Sequence, residues 1–219
     1  MKAMILAAGR GERLKPITDS IPKALIEIRG KTLLERHLIR LYDAGIRDVI
    51  INTGWQGKKI RDKLSSGFKF GLNIEFSDEG DNILETGGGI LNALNMLGEK
   101  FLVINADIFT DMPIPNLHLS AGILGHVILV PSPVYHEHGD FDLIDGLIKN
   151  TNSQNLKFSG VAQYRSSIFD GCNHGKFSMT PLLRKYASKG LIKGTIYKGF
   201  WADVGTPERL DALKSMKQS

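Results

Sequence analysis

Short apolar runs alternate with amphipathic segments along the first part of this chain of 219 residues. Apolar runs of about four to eight residues are typical of buried strands, and apolar residues spaced three and four apart predict helices. The predicted strands span 2–7, 48–53, 72–77, 101–107 and 126–131. The predicted helices span 31–44, 56–66 and 87–97. This alternation predicts an α/β fold with helices on both faces of a mostly parallel central sheet.

Ligands of such sheets bind beyond the carboxyl ends of the strands. We therefore expect one crevice to be shared by three loops, at 8–23, 78–89 and 105–111. After residue 131 the alternation weakens. Strands are predicted there at 141–149 and 157–164, and helices near 179–188 and 206–217. Because no Pro-, Gly- or Ser-rich linker divides the chain, we expect a single domain over 1–219, in which about 131–219 elaborates about 1–130.

The charge and cysteine content limit the expected partners and location. The net charge is +5, from 28 basic and 23 acidic residues that are interspersed. Nucleic-acid binding favours a basic cluster, so small anionic ligands are expected rather than nucleic acid. No apolar run approaches the roughly 18 residues of a membrane span, and no signal-peptide pattern is visible, so no membrane partner is expected. One cysteine, Cys172, fits a reducing cytoplasm. We expect a monomer or a small homo-oligomer.

The segment 6-LAAGRGERLKP-16 follows the first predicted strand. A dinucleotide fingerprint needs a third glycine after Gly9 and Gly11, where the chain has Leu14, and the P-loop pattern is also absent. A glycine-rich turn still exposes N–H groups that can cradle phosphates, and Arg13 adds a forked donor for phosphate oxygens. The segment therefore predicts phosphate binding, with a tight turn carrying solvated charges as the alternative.

Together with 22-PKAL-25, this segment resembles the signature of sugar-1-phosphate nucleotidyltransferases. Three later segments are similar to segments of the same family: 85-ETGGGI-90, 103-VINADIF-109 and 199-GFWADVGTPERL-210. The resemblance covers essentially the whole chain. It implies a three-layer, Rossmann-like nucleotidyltransferase fold. It also implies an enzyme that transfers a nucleotidyl group from an NTP to a sugar 1-phosphate and releases pyrophosphate.

The finer pattern resembles a short bacterial branch that transfers a uridylyl group to an N-acetylated amino-sugar 1-phosphate in cell-wall recycling. The features are the compact length, 140-DFDLI-144 and 158-FSGVAQY-164. The E-K-P motif of longer relatives, whose lysine touches the sugar phosphate, is absent. Alternatives are a guanylyl- or cytidylyltransferase acting on mannose 1-phosphate, heptose 1-phosphate or a phospho-alcohol, and a catalytically idle nucleotide-sensing module.

The resemblance implies a role for each matching residue. Asp107 and Asp203 would hold Mg²⁺, Arg13 would bind the β- and γ-phosphates, and Lys23 would bind the α-phosphate and the sugar phosphate. Arg13, Lys23 and Asp107 are therefore the expected catalytic residues. The expected nucleotide-binding residues are Leu6, Ala7, Ala8, Gly9, Gly11, Arg13, Lys23, Glu85, Thr86, Gly87, Gly88 and Asn105. The expected substrate-binding residues are Asp140, Phe141, Gly160 and Asp203.

The positions of the acidic and histidine residues in the sequence also bear on where a metal ion could bind. Asp107 ends an apolar strand, where a carboxylate needs a functional or structural reason. By contrast, His136, His138 and Asp140 have no helical spacing and no fourth ligand, so we interpret 136–140 as a polar loop rather than a metal site.

Overall fold

A computed structural model of the chain describes residues 1–133, 138–151 and 155–216. Its strands are β1 Lys2–Leu6, β2 Glu27–Ile28, β3 Lys31–Thr32, β4 Asp48–Thr53, β5 Asn73–Asp78, β6 Lys100–Asn105, β7 Ile108–Thr110, β8 Gly125–Pro131, β9 Asp142–Ile144, β10 Leu147–Lys149, β11 Leu156–Arg165, β12 Ile192–Ile196 and β13 Trp201–Asp203. Its α-helices are α1 Ile17–Ser20, α2 Leu33–Asp43, α3 Gly57–Leu64, α4 Glu85–Asn92, α5 Leu94–Leu97, α6 Met179–Ala187 and α7 Pro207–Ser215.

Nine of these strands form one sheet in the order β5-β4-β1-β6-β11-β8-β12-β10-β9. The pairs β4–β5, β1–β4, β1–β6 and β8–β12 are parallel. The other four pairs, in which β11 joins β6 and β8 and β10 joins β12 and β9, are antiparallel. Only β10 and β11 therefore run against the other seven strands, which confirms a mostly parallel central sheet.

Both faces of this sheet are covered by helices. On one face Ile5 of β1 packs in a buried cluster that includes Leu38 of α2 and Ile60 of α3. On the other face the neighbouring Met4 packs in a cluster with Ile90 of α4 and other buried residues. Burial of consecutive β1 residues on opposite faces is typical of a parallel sheet between two helical layers. This confirms the three-layer prediction.

The predicted helix at 31–44 is α2, and its ends follow from local chemistry. Thr32 and Glu35 form a capping box: the Thr32 hydroxyl accepts from the Glu35 N–H at 3.1 Å, and the Glu35 carboxylate accepts from the Thr32 N–H at 2.9 Å. Such a box satisfies backbone donors that the first helical turn leaves unpaired. Beyond the last turn, Gly45 has a φ of 78°, which suits glycine.

Some elements differ from the sequence-based prediction. The stretch at 141–149 is a hairpin of β9 and β10 rather than one strand, because Asp145 and Gly146 both have positive φ and so reverse the chain. The helix at 87–97 is divided into α4 and α5. Strand β12 and the two-stranded ribbon of β7 and β13 were not predicted, because β7 and β13 have three residues each and the two apolar residues of β12 are separated by Lys193, Gly194 and Thr195. Of the loop at 136–140, residues 136 and 137 lie outside the described residues.

Among the described residues, no helix is both long enough and apolar enough to cross a membrane.

Candidate active site

A cavity of about 320 Å³ opens at the carboxyl ends of the parallel strands. Leu6, Asn52 and Asn105, which line it, are the last or next-to-last residues of β1, β4 and β6. The three loops that were expected to share a crevice all contribute to its wall, so that prediction is confirmed.

Most of the predicted site residues lie in this wall. They are Leu6, Ala7, Ala8, Gly9, Gly11, Arg13, Lys23, Glu85, Thr86, Asn105 and Asp107. The wall also contains residues that sequence reasoning missed: Glu12, Ala24, Asn52, Glu79, Ile83, Ala106 and Gly205. Six predicted residues are not part of the lining formed by the described chain: Gly87, Gly88, Asp140, Phe141, Gly160 and Asp203.

The glycine segment folds tightly because Gly11 has a φ of 66°. A Cβ at this position would lie 2.9 Å from the Thr18 methyl carbon and 3.3 Å from the Lys23 Cβ. The Thr18 hydroxyl donates to the Gly11 carbonyl at 2.9 Å and holds the turn against α1. Leu14, which replaces the third glycine of a dinucleotide motif, is fully buried in a third cluster with residues such as Leu210 of α7. The loop is thus anchored by an apolar side chain and leaves Arg13 at the cavity.

Lys23 and Asp107 meet inside the cavity. The Lys23 Nζ lies 2.6 Å from the Asp107 Oδ2, and the exposed fractions of the two side chains are 15% and 35%. Lys23 begins a short 3₁₀ turn, Lys23–Leu25, after Pro22, and Asp107 lies between β6 and β7. The structure therefore brings together a cation and a carboxylate that are 84 residues apart in sequence.

Asp203 lies beside Asp107 along the backbone of the β7–β13 ribbon. Asp203 pairs with Ile108, and the Val204 N–H donates to the Asp107 carbonyl at 2.8 Å. The Asp203 carboxylate accepts a hydrogen bond from the Arg209 guanidinium of α7. Although Asp203 is not part of the described cavity lining, the ribbon places the end of β13 beside Asp107, which immediately precedes β7.

Gly87 and Gly88 serve a packing role at the start of α4. Both of their N–H groups donate to the Phe177 carbonyl, at 2.9 and 3.0 Å. A Cβ on Gly88 would lie 2.1 Å from the Gly175 carbonyl oxygen, so only glycine fits. The Thr86 hydroxyl accepts from the Met179 N–H at 2.8 Å. The sequence predicted that Gly87 and Gly88 bind the nucleotide. Their N–H groups already donate to the Phe177 carbonyl, so a nucleotide would compete with that carbonyl for them.

This packing makes a prediction for the variant Gly88→Ala. The added methyl group would overlap a backbone oxygen, and overpacking of this kind costs about 1–3 kcal/mol. For a chain of this size we expect Tm to fall by roughly 2–12 °C. The matched control is Gly9→Ala in the cavity wall, since no described heavy atom lies within 4 Å of the corresponding Cβ. Thermal unfolding of both variants is the measurement, and a wild-type Tm for Gly88→Ala would contradict the packing role.

Three residues predicted on the sugar side are not part of the described cavity lining: Asp140, Phe141 and Gly160. The Phe141 ring is buried in the apolar cluster that contains Met4 and Ile90. The Asp140 carboxylate accepts from the Phe158 N–H at 2.9 Å and from the Lys157 ammonium at 3.3 Å. Gly160 has a φ of 81°, and a Cβ there would lie 2.9 Å from the Asn105 side chain. Gly160 therefore leaves room for the Asn105 side chain, and the Phe141 ring lies in the core.

Comparison with known proteins agrees with this geometry. Residues 2–135 match the family described as nucleotidyl transferase. Two similar relatives are named N-acetylmuramate alpha-1-phosphate uridylyltransferase. The protein from Neisseria meningitidis serogroup B is 42% identical over an alignment of 226 positions, which covers 99% of this chain and 98% of that protein. The protein from Caulobacter vibrioides is 32% identical over an alignment of 229 positions, which covers 94% of this chain and 92% of that protein.

A solved structure extends the similarity to the fold. The crystal structure of HddC from Yersinia pseudotuberculosis complexed with GMP-PN has a TM-score of 0.79 at 26% sequence identity. The similarity covers 97% of both chains. The predicted family and fold class are confirmed, and the chain belongs to the nucleotidyl transferase family.

Proposed function

We propose that this enzyme transfers a uridylyl group from UTP to N-acetylmuramic acid α-1-phosphate and releases pyrophosphate. The observation that carries this proposal is the convergence of Arg13, Lys23 and Asp107 with the glycine segment in one cavity. The choice of substrates is supported by two relatives that are named for this activity, one of them 42% identical over nearly the whole chain.

The reaction brings two polyanions together, so charge neutralisation is its main difficulty. An oxygen of the sugar phosphate attacks the α-phosphorus of UTP, a new P–O bond forms, and the bond to the β-phosphate breaks. Fixed cations and N–H groups can stabilise the charge that develops on the phosphates without a covalent protein intermediate. Arg13 would bind the β- and γ-phosphates, and Lys23 would bind the α-phosphate and the sugar phosphate. Gly9 and Gly11 would let the backbone approach them.

The residues present fit Mg²⁺. This ion prefers oxygen ligands and keeps several waters when one or two carboxylates bind it. Asp203 at the end of β13 and Asp107 immediately before β7 supply two carboxylates at one end of the ribbon. No group of three or more His, Cys, Asp or Glu side chains that could hold a metal ion is found over the part of the chain that the structure describes. Mg²⁺ would neutralise phosphate charge, while Lys23 and Arg209 hold the two carboxylates in place.

The context of the activity is part of the same proposal. UTP and a sugar phosphate are intracellular metabolites, so we place the enzyme in the cytoplasm and in peptidoglycan recycling. We expect a monomer or a small homo-oligomer with small-molecule substrates and no nucleic-acid partner.

The test is a matrix of the four NTPs against a panel of sugar 1-phosphates, read by pyrophosphate release. We expect UTP with N-acetylmuramic acid α-1-phosphate to give the highest kcat/KM. Activity should be lost in excess EDTA and recovered on adding Mg²⁺.

The matrix also separates the alternatives. A preference for GTP with mannose or heptose 1-phosphate would support a guanylyltransferase instead, which the similarity to HddC with bound GMP-PN makes the second candidate. Pyrophosphate release from no NTP would support an idle nucleotide-sensing module.

A further inference from the structure

Two side chains that the sequence did not single out connect the loops at the cavity by hydrogen bonds. The Ala7 N–H donates to the Asn52 Oδ1 at 2.6 Å. The Asn52 Nδ2 donates to the Glu79 Oε1 at 2.7 Å, and the Leu84 N–H donates to the Glu79 Oε2 at 2.7 Å. We call this chain of three bonds, from Ala7 to Leu84, the Asn52–Glu79 bridge.

The bridge is partly buried in the cavity wall and tightly packed. Asn52 is 3% exposed at the end of β4, and the Glu79 N–H donates to the Thr53 carbonyl at 2.7 Å. Burial, with the negative charge of Asp78 nearby, raises the pKa of Glu79 above the ordinary glutamate value. A Cβ on Gly89 would lie 2.6 Å from the Glu79 carboxylate and 2.8 Å from the Asn52 amide. The last glycine of 87-GGG-89 therefore makes room for the bridge.

Both ends of the bridge reach segments that carry ligand-facing residues. Ala7 belongs to the glycine segment, and Leu84 precedes Glu85 and Thr86, which line the cavity. In a buried network a side chain with all its polar atoms paired is held in one orientation, and an unpaired one is costly. The length of the bridge therefore fixes the separation between these two segments.

We propose that Asn52 and Glu79 are positioning residues for the nucleoside triphosphate. The Asn52–Glu79 bridge holds the phosphate-facing glycine segment and the segment at 84–86 at the separation that one NTP molecule spans. This inference rests on the proposed function, because it takes the NTP to contact both segments.

The direction of each hydrogen bond allows a specific test. Asn52→Asp places a carboxylate against the Glu79 carboxylate, and Glu79→Gln places an NH₂ group against a donor. In the double variant Asn52→Asp/Glu79→Gln, the middle bond is restored with reversed direction. The new Asp accepts from the Ala7 N–H and from the new Gln, whose oxygen accepts from the Leu84 N–H. All three bonds of the bridge are then present again.

We would measure the Kd of UTP by calorimetry and the KM of both substrates for these three variants and the wild type. Each single variant should weaken UTP binding by about tenfold or more, which is the size expected for a buried hydrogen bond to a charged group. The double variant should return to within about threefold of wild type, a margin of about 0.7 kcal/mol. The KM for the sugar 1-phosphate should change much less than the KM for UTP.

A matched control lies at the opposite end of the same two strands. The Asn73 Nδ2 donates to the Asp48 Oδ1 at 3.0 Å. This bond also joins a side-chain amide to a carboxylate, but it lies away from the cavity. Asn73→Asp should therefore leave the Kd of UTP unchanged. Thermal unfolding would show that each variant is folded at the assay temperature.

Three results would overturn the inference: single variants that bind UTP like the wild type, a folded double variant that binds as weakly as the single variants, or an equal effect of Asn73→Asp. If one single variant does not fold, the comparison of the other single variant with the double variant still decides. A wild-type protein that binds UTP but transfers nothing would contradict the proposed function, while the Kd values would continue to test the bridge.

Discussion

Replacing Asp107 with asparagine is expected to lower kcat by about a thousandfold or more, because it removes charge from the centre of the phosphate site. Asparagine has nearly the shape of aspartate, so the loop between β6 and β7 should keep its path. The substitution removes one proposed Mg²⁺ ligand. It also removes the carboxylate that lies 2.6 Å from the Lys23 ammonium. Loss of the ligand weakens the neutralisation of the two polyanions by Mg²⁺, and loss of the ion pair removes the partner that positions the Lys23 ammonium.

Folding should be nearly unaffected by this substitution. The Asp107 side chain is 35% exposed, and ion pairs that reach solvent contribute about 1 kcal/mol or less. The measurements are pyrophosphate release at saturating substrates and Tm. Asp111→Asn is the matched control, since Asp111 follows β7 and its carboxylate accepts from the Tyr197 hydroxyl at 2.5 Å. An Asp107→Asn variant with kcat within tenfold of wild type would remove Asp107 from the chemistry.

Replacing Lys23 with alanine should lower kcat by about 10²–10³-fold, which is typical for the loss of one preorganised donor in an active site. The Lys23 side chain is only 15% exposed, and it reaches Asp107 from a turn fixed by Pro22. Its charge is therefore already in position, with little reorganisation to be made during the reaction.

The matched control for this variant is Lys15→Ala in the same loop. Lys15 is 52% exposed and pairs with Glu12 at 2.9 Å on the surface, so its loss should leave kcat close to wild type. Single-turnover measurements with each variant would separate binding from chemistry. Equal kinetics for Lys23→Ala and Lys15→Ala would show that cavity position gives Lys23 no special role.

The elements that the sequence predicted well are those with a long or repeated pattern. Helix α2 was predicted from its apolar spacing and from Gly45, and β1, β4 and β6 from buried runs that are apolar on both faces. Strands β7 and β13 contain three residues each, β12 contains only two apolar residues, and all three pair with partners that are distant in sequence. The neighbourhood of Asp107 and Asp203 therefore came from the family resemblance and not from a local pattern.

Only some residues of the candidate site were predicted, because the others belong to no recognised pattern. Asp107 was found because a charged residue at the end of an apolar strand is unusual. Asn52 and Glu79 give a similar signal at the ends of β4 and β5, but they belong to no motif that was recognised, and they were missed. Phe141 was assigned to the sugar side from its motif, whereas its ring is 1% exposed in the core. A motif identifies a position in the chain, and burial decides which atoms of that position face a ligand.

The proposed reaction is nucleotidyl transfer by attack of a sugar phosphate on the α-phosphorus of UTP. The most direct measurement uses N-acetylmuramic acid α-1-phosphate labelled with ¹⁸O in its three non-ester phosphate oxygens. Wild-type enzyme with UTP and Mg²⁺ should give a UDP-sugar that retains all of the label and pyrophosphate that contains none. Label in the pyrophosphate, or no UDP-sugar formed with this substrate pair, would contradict the account.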